Sequence, residues 1–430
     1  MPLKVLIIGA GICGPAVATL LRRSDPKNSV TIVERYSEIR RNGLQIDLRA
    51  WGVPIMKHLG LIDVVRKRCV EEDGIAFLDA KGKQFGVFGV QKSGTGQQSF
   101  TSEFEIMRGD LAEVLYDASL KNLETEPRAE GGPGVRYKFG TSVASLTQDE
   151  KGVDVTLSDG TTGRYDLVIG ADGQWSKTRR IMFGDEAGND MFKRLNLYAA
   201  YWTIPRQAGD DGLARFFAAG KGRNVMSRTG DLPYTQVYFM IRTPSEEVRQ
   251  SVEKQSTETQ KEVFERLFRD IEYCHMDRFL KGLRESTDFY AHSLGQVKAP
   301  HVVKGRIALL GDAAACASPV SGMGTTLSLI TAWMLAGELA RHKGDVPLAL
   351  QAYDANVRPY VEELQKLLPG IPAVMTPQSG WAIVLLRFFI SIASWIKLDL
   401  LLGKVMSENK GGFQIPEYPE LNLGSAVKSS

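Results

Sequence analysis

A short apolar segment followed at once by three spaced glycines constrains this chain more than any other feature. Lys4 to Ile8 (KVLII) is almost continuously apolar, which is typical of a strand buried in a parallel sheet. Gly9, Gly11 and Gly14 follow as a GxGxxG motif, and the apolar residues after it recur at helical spacing. The segment predicts a strand, a tight turn and a helix at the amino end of the fold.

An acidic residue completes this pattern. Val30 to Val33 (VTIV) predicts a second strand, and Glu34 follows it, twenty residues after Gly14. In such a unit the glycines permit the turn, the approach of backbone to a pyrophosphate and the packing of helix on strand, while the acid binds ribose hydroxyls. A glycine-rich turn without a ligand would not require this spacing, so we predict a dinucleotide site.

Two later segments repeat the arrangement of a strand followed by glycine and aspartate. Tyr165 to Ile169 precedes Gly170-Ala171-Asp172-Gly173, and Arg306 to Leu310 precedes Gly311-Asp312. Each aspartate taken singly could be only a helix N-cap. As a spaced set with the first motif, they indicate a second group of contacts to ribose or phosphate oxygens.

Composition excludes several classes of protein. The chain has 430 residues, which favours two or three domains, and its 53 Lys and Arg against 50 Asp and Glu leave no strong basic field for nucleic acid. Four scattered cysteines and five histidines predict no metal site, and they suit a reducing compartment. With no secretory signal evident at the amino end, we expect a cytoplasmic protein.

The spaced motifs resemble those of the class A flavoprotein monooxygenases, which have the para-hydroxybenzoate hydroxylase fold. The similarity covers roughly residues 4–345: GxGxxG, then DG, then GD with the PxxGxG of residues 319–324. Three further stretches are most similar to the tetracycline-inactivating monooxygenases, the tetracycline destructases, although hydroxylases of unrelated substrates share much of them. They are EIMRGDL at 105–111, TIP at 203–205 and DFY at 288–290.

The resemblance implies FAD as cofactor, NADPH or NADH as a transient co-substrate, and molecular oxygen. An electron-rich phenol or enol, aromatic or polycyclic, would receive one oxygen atom, with flavin-based chemistry and no catalytic residue of the protein required. The implied cofactor-binding residues are spread over all the motifs: Gly9, Gly11, Gly14, Glu34, Arg35, Asp47, Arg108, Asp172, Asp312, Pro319, Gly322, Met323 and Gly324.

The predicted fold is α/β, with a Rossmann-like FAD-binding domain, an antiparallel-sheet substrate domain and a C-terminal bridging helix. We assign 1–76, 104–188 and 290–345 to the first domain, 77–103 and 189–289 to the second, and 346–430 to a helical segment with a polar, frayed tail. Alternating segments between 195 and 242 predict the sheet. On that sheet, Tyr201 and Arg223 are the candidate substrate contacts that the resemblance implies.

A stripe of large apolar residues, from Trp381 to Trp395, predicts one amphipathic helix near the carboxyl end. Arg387, Lys397 and Asp399 interrupt it, which argues against a membrane span. We expect the stripe to be buried across both domains. Contact of residues 381–397 with a membrane surface is the alternative that we do not favour.

Two classes of function remain open. The first is an FAD-dependent hydroxylase, acting on tetracyclines or on another phenolic or polyketide metabolite. The second is a non-catalytic FAD-fold protein that binds lipid, which would show no redox turnover. A flavin halogenase is disfavoured because Ala200 replaces the first tryptophan of the WxWxIP motif that such enzymes carry.

Overall fold

The computed structural model describes residues 2–90, 104–121, 132–317, 322–366, 370–398 and 414–421. Within these ranges it has eighteen strands and thirteen α-helices. The strands are β1 (Lys4–Ile8), β2 (Ser29–Val33), β3 (Gln45–Asp47), β4 (Gly74–Leu78), β5 (Gln84–Gly89), β6 (Glu105–Met107), β7 (Gly134–Lys138), β8 (Val143–Gln148), β9 (Val153–Leu157), β10 (Thr162–Tyr165), β11 (Leu167–Gly170), β12 (Phe192–Pro205), β13 (Leu213–Gly220), β14 (Arg223–Arg228), β15 (Tyr234–Arg242), β16 (Tyr290–Val297), β17 (Val303–Lys304) and β18 (Ile307–Leu309). The helices are α1 (Cys13–Ser24), α2 (Gly52–His58), α3 (Ile62–Arg66), α4 (Arg108–Leu120), α5 (Lys177–Phe183), α6 (Asp185–Asp190), α7 (Glu246–Lys254), α8 (Thr257–Phe268), α9 (Met276–Glu285), α10 (Gly324–Arg341), α11 (Val346–Leu364), α12 (Ile371–Met375) and α13 (Gly380–Trp395).

A six-stranded sheet carries the amino-terminal motif. Its order is β17-β18-β11-β1-β2-β7, and all neighbours are parallel except β17 and β18. The central β1 is apolar and buried from Val5 to Ile8, as its composition predicts for a strand covered on both faces. Helix α1 packs against α4 and α10 beside it. The Rossmann-like arrangement is thus confirmed, and the carboxyl ends of β1 and β11 meet at one edge.

A seven-stranded sheet forms the second unit. Its order is β16-β12-β15-β14-β13-β4-β5, and it is antiparallel except where β4 runs parallel to β13. Alternation along β12 separates two faces: Tyr198, Ala200 and Trp202 pack under α7, α8 and α9, while Ala199 and Tyr201 face the opposite way. One face of the sheet is therefore closed by helices, and the other is available to a ligand.

The pairings correct the predicted segment boundaries at two places. Residues 74–76 belong to β4 and residues 290–297 to β16, and both strands lie in the seven-stranded sheet, although the sequence-based division put them with the cofactor domain. The strands between residues 134 and 165 do not all belong to one sheet. The first strand there, β7, pairs with β2, and only β8, β9 and β10 form a separate antiparallel sheet.

The C-terminal segment differs from expectation in two respects. Helix α13 contacts β5 and β13, which belong to one sheet, and its apolar stripe is exposed rather than buried across two domains. Residues 414–421, expected to be frayed, dock on α10: Trp333 Nε1 donates to the Pro416 carbonyl at 2.9 Å, and Tyr418 is buried. No helix in the described ranges is both long and apolar enough to cross a bilayer.

Candidate FAD and substrate site

The three motif glycines play different structural parts. A Cβ on Gly9, whose φ is +111°, would lie 2.4 Å from the Ala171 carbonyl oxygen, and one on Gly14 would lie 2.0 Å from the Gly9 oxygen. Both positions therefore admit only glycine for reasons of packing. A Cβ on Gly11 would meet only Arg108 Nη2, at 3.4 Å. Gly11 thus faces open space at the start of α1, where a pyrophosphate can approach the backbone.

Glu34 lies at this same loop. Its Oε2 accepts a hydrogen bond from Ala10 N at 2.8 Å, and its Oε1 accepts one from Tyr36 N at 3.1 Å. The carboxylate is therefore fixed beside the glycine turn, as an acid that receives ribose hydroxyls requires. Arg35 is exposed and lies over the Tyr36 ring at 4.9 Å, so its contacts in this structure are local.

Arg108 joins the glycine loop to the seven-stranded sheet. It begins α4 directly after β6, and its side chain runs past Gly43, where a Cβ would lie 3.0 Å from Arg108 Cδ. Burial and the charge of Arg40 lower the pKa of its guanidinium, while Tyr290, Asp312 and Glu34 oppose that shift. The half-buried Arg108 cation thus lies within electrostatic reach of Glu34, of Asp312 and of Tyr290 on the sheet.

The two aspartate motifs have different surroundings. Asp172 accepts hydrogen bonds from Ser176 Oγ at 2.5 Å and from Thr178 N at 3.0 Å, so it supports the first turn of α5, whose N-cap is Ser176. Asp312 stands in a single 3₁₀ turn, Gly311–Ala313, directly after β18. Burial raises the pKa of its carboxyl, and a hydrogen bond with Cys316 is the main opposing effect. Asp312 is therefore the better placed of the two to receive a cofactor hydroxyl, because both carboxylate oxygens of Asp172 accept hydrogen bonds from Ser176 and Thr178.

Arg179 braces these two loops, a role that the sequence analysis missed. It is buried, and its Nη1 donates to the Ala313 carbonyl at 2.9 Å while Nη2 donates to the Gln174 carbonyl at 2.7 Å. The guanidinium therefore holds the DG loop and the GD loop in a fixed relation.

The segment before α10 approaches Asp47. Gly322 has φ of +65°, and a Cβ there would lie 3.3 Å from Asp47 Oδ2. Met323 is buried, and Gly324 begins α10 with no neighbouring atom within 4 Å of an added Cβ. Backbone in this loop is thus accessible to a planar ring, as the resemblance implies. Pro319 lies outside the described residues.

Asp47 has an unusual acid–base state. Burial and the nearby charge of Glu105 raise the pKa of its carboxyl to about 7, although Arg49 at 3.1 Å and Arg228 oppose the shift. Its protonation therefore changes in the range where an enzyme works.

A cleft of about 230 Å³, partly open to solvent, lies between the two units. Its lining comes from the segment around β3 and β6 on one side and from β12, β15 and β16 on the other. The lining residues are Arg41, Asn42, Gly43, Leu44, Met107, Tyr201, Trp202, Thr203, Tyr234, Gln236, Tyr238, Asp288 and Tyr290. Gly43 lies against the Arg108 side chain, and Met107 directly precedes Arg108 in sequence. The cleft therefore adjoins Arg108, which is predicted to lie on the flavin side of the cofactor.

The two predicted substrate residues lie in different places. Tyr201 lines the cleft, stacked on His292 at 5.4 Å between ring centroids. Arg223 points the other way: its Nη1 donates to the Leu267 carbonyl at 2.5 Å, and it forms an ion pair with Asp270 on the helical side. Its predicted contact with substrate is therefore incompatible with this geometry.

A buried polar network behind the cleft was not foreseen. Gln45 Nε2 donates to Glu105 at 2.6 Å, and Gln236 Nε2 donates to Gln45 Oε1 at 2.9 Å. Arg228 forms ion pairs with both Glu105 and Glu72, and both carboxylates raise the pKa of its guanidinium well above the usual value. These residues connect β3 and β6 to β14 and β15, so they fix the cleft walls relative to each other.

Comparison with known proteins agrees with this geometry. The family described as "FAD binding domain" matches residues 2–366. The chain is 37% identical to the FAD-dependent monooxygenase asL6 of Sarocladium schorii, over 98% of this chain and 100% of the relative. It is 36% identical to the FAD-dependent monooxygenase asL4 of the same fungus, over 97% and 99%.

Among solved structures, that of tetracycline destructase Tet(51) is similar, with a TM-score of 0.76 and 28% identity over 97% of this chain and 100% of that one. The glycine loop with Glu34, the half-buried Arg108 and Asp312, and the match of this chain to its relatives over nearly their whole length lead to one assignment. The chain belongs to the FAD-binding domain family and is an FAD-dependent monooxygenase.

Proposed function

We propose that the enzyme consumes NADPH or NADH and O₂ to hydroxylate an aromatic or enolic polycyclic substrate held in the cleft. The observation that carries this proposal is the position of the cleft, between the segment flanking Arg108 and the tyrosine-rich face of the sheet. In the net reaction a C–H bond becomes C–OH, the second oxygen atom leaves as water, and NAD(P)H is oxidised.

The bound flavin supplies the redox chemistry, and the protein supplies position and charge. Glu34 and Gly11 hold the adenosine and pyrophosphate side, while Asp312 and the 322–324 backbone hold the opposite end. The half-buried Arg108 cation stabilises negative charge next to the cleft. Walls of Tyr201, Met107 and Leu44 limit the access of water to the reacting carbon.

The tyrosines of the cleft act as hydrogen-bonding groups and not as bases. Burial raises the pKa of Tyr201 well above its ordinary value, and it also raises the pKa of Tyr238. Tyr238 donates its hydroxyl hydrogen to Gln236 Oε1 at 2.7 Å, which fixes its orientation. Burial and the charge of Arg40 lower the pKa of His292 to about 4, so its ring is neutral at pH 7. These groups orient a phenol or enol without exchanging protons with it.

A tetracycline is one candidate substrate, and the similarity to Tet(51) over almost the whole chain supports it. Another phenolic or polyketide metabolite is the second candidate, since the 37% identity to the FAD-dependent monooxygenase asL6 exceeds the 28% identity to Tet(51) and carries no preference for a tetracycline. The cleft suits both because its lining combines aromatic rings with the acceptors Asp288 and Gln236.

The test has two stages. Anaerobic mixing with NADPH or NADH should bleach the flavin, faster when a matching phenol or enol is present. Aerobic incubation should then yield a product heavier by one oxygen atom. If tetracycline stays unchanged while another polyphenol is rapidly hydroxylated, tetracycline is excluded as the substrate and the hydroxylase activity is supported. A flavin that no nicotinamide reduces, with or without substrate, contradicts the proposal and supports a lipid-binding role.

A further inference from the structure

Helix α13 presents large apolar side chains to solvent. Trp381 is 70% exposed, Trp395 is 83% exposed, and six more apolar residues between 384 and 396 are exposed as well. They are Val384, Leu385, Phe388, Phe389, Ile392 and Ile396. Contiguous apolar surface on this scale marks a contact with another protein or with a membrane.

The opposite side of α13 is fixed to the edge strand β5. Ser394 Oγ accepts a hydrogen bond from Val87 N and donates one to Val87 O, both at 3.0 Å. Ile390 packs so closely on Gly86 that a Cβ there would lie 2.5 Å from Ile390 Cγ2. The helix therefore forms a ridge that is fixed against the sheet at β5. Its apolar face is exposed because the helix is held in this position, and not because the helix packs loosely.

The chemistry of the ridge matches a lipid surface. Arg387 and Lys397 are the only ionisable residues between 380 and 398, and both are cations. Tryptophan at both ends of the helix suits the level of the lipid headgroups, where the indole ring is amphipathic. Sixteen residues extend only about 24 Å as a helix, which is too short to cross a hydrocarbon core of about 30 Å.

A second copy of the chain fits the ridge less well. Protein interfaces carry a polar rim with about one hydrogen bond per 100–200 Å² of buried area. The exposed positions of α13 offer only two indole N–H groups to such a rim. A helix with cationic side chains and an unbroken apolar face instead inserts among acyl chains parallel to the surface.

We propose that the exposed face of α13 binds the enzyme peripherally to a membrane surface that contains anionic lipids. The helix lies in the plane of the interface, with Phe388, Phe389 and Trp395 among the acyl chains and Lys397 at the headgroups. The seven-stranded sheet is then attached to the membrane through β5.

Sedimentation with vesicles tests this proposal on the FAD-loaded full chain. We expect the protein to pellet with vesicles of phosphatidylcholine and phosphatidylserine at three to one, and less with phosphatidylcholine alone. The variant Phe388→Ser/Phe389→Ser/Trp395→Ser should partition at least tenfold less. Because these side chains point to solvent, its flavin content and unfolding midpoint should stay at the wild-type level.

The matched control is Val64→Ser/Leu348→Ser, which removes exposed apolar side chains from α3 and α11. It should bind vesicles like the wild type. A wild-type protein that stays in the supernatant with both lipid mixtures overturns the proposal, as does equal binding by the triple variant. Light scattering tests whether a second copy of the chain binds this face instead. If the wild type has twice the mass of one 47.4 kDa chain, the triple variant has the mass of one chain, and neither binds vesicles, the face is a dimer interface and the membrane proposal is wrong.

Discussion

Single residues of the site separate into those that maintain the fold and those that admit the cofactor. Gly14 belongs to the first group because a side chain there collides with the Gly9 carbonyl, and Gly11 belongs to the second. We expect Gly11→Val to abolish FAD retention and leave the unfolding midpoint of the apoprotein nearly unchanged. Gly14→Ala should instead destabilise the apoprotein itself. Flavin absorbance per chain and apoprotein melting distinguish them, with Gly380→Ala, which has open space around it, as control.

The raised pKa of Asp47 predicts how the stability of the protein changes with pH. Its folded-state pKa of about 7 is above the ordinary value of 3.8, so between these limits the folded protein holds a proton that the unfolded chain has released. The stability contributed by Asp47 is therefore complete below pH 4 and is lost as the pH rises towards 7. Relative to wild type, apo Asp47→Asn should gain up to about 3 kcal/mol in free energy of unfolding between pH 5 and pH 8.

Urea titrations of the apoprotein at each pH measure this difference. Asp185→Asn, at a highly exposed carboxylate, controls for the loss of one negative charge. A constant gap between wild type and Asp47→Asn at all pH values would show that Asp47 is ionised throughout.

Substitutions of Arg223 and Tyr201, which lie on the same sheet, should have different effects: the first on stability and the second on KM. Arg223→Ala leaves the Leu267 carbonyl without its buried partner, so it should lower the free energy of unfolding by about 1–3 kcal/mol and leave KM unchanged. Tyr201→Phe removes only a hydroxyl from the cleft and should raise KM about tenfold. Steady-state kinetics with an identified substrate, together with urea unfolding, test both. A large rise in KM for Arg223→Ala alone would contradict the placement of its side chain.

The sequence could have predicted the direction of Arg223. Side chains alternate along a strand, and Val225, two positions on, packs in the cluster beneath the helices, whereas Met226 packs on the cleft side. Arg223 is two positions from Val225, so its side chain lies on the same face of the sheet, beneath the helices. The network of Gln45, Glu105 and Arg228 had no such local pattern, because its members come together only through pairing of distant strands.

Between elements, the main electrostatic connection is that of Arg228 on β14 with Glu72 and with Glu105 on β6. All three side chains are largely buried, so removal of the cation leaves two carboxylates without compensation. Arg228→Met should therefore lower the free energy of unfolding by about 3–5 kcal/mol. Arg164→Met, which breaks two exposed ion pairs with Asp149 and Asp154, should leave the free energy of unfolding nearly unchanged. Equal losses in urea unfolding would contradict this assignment.

Elements with strong periodicity were predictable, and those defined by distant partners were not. The buried strand β1 and the alternating strands of residues 192–242 agree with the sequence analysis because each carries its own pattern. The pairing of β7 with β2 could not be predicted, since nothing in residues 134–138 specifies this partner. Helix α13 has apolar residues on several sides, so its sequence could not show which side would face the protein.

At the scale of the whole molecule, the cofactor contributes to stability by mass action. In the proposed site, FAD is held by the loops after β1 and β2, by Arg108 of α4, and by Asp312 and residues 322–324, which come together only on folding. Removal of FAD should lower the melting temperature, and each tenfold rise in free FAD above its Kd should restore about 1.4 kcal/mol. FMN, which lacks the adenosine that Glu34 receives, should stabilise less at equal concentration. Equal stabilisation by FMN would contradict the assigned role of Glu34.

The interleaving of the two sheets has a consequence for synthesis on the ribosome. Strand β4 finds its partner β13 about 140 residues later, and β11 of the other sheet finds β18 a similar distance downstream. Neither sheet can close until residues near 309 have left the exit tunnel. Nascent chains expose unpaired strand edges for most of translation, which makes this protein a client for chaperones that bind extended apolar segments and a poor subject for expression as separate halves.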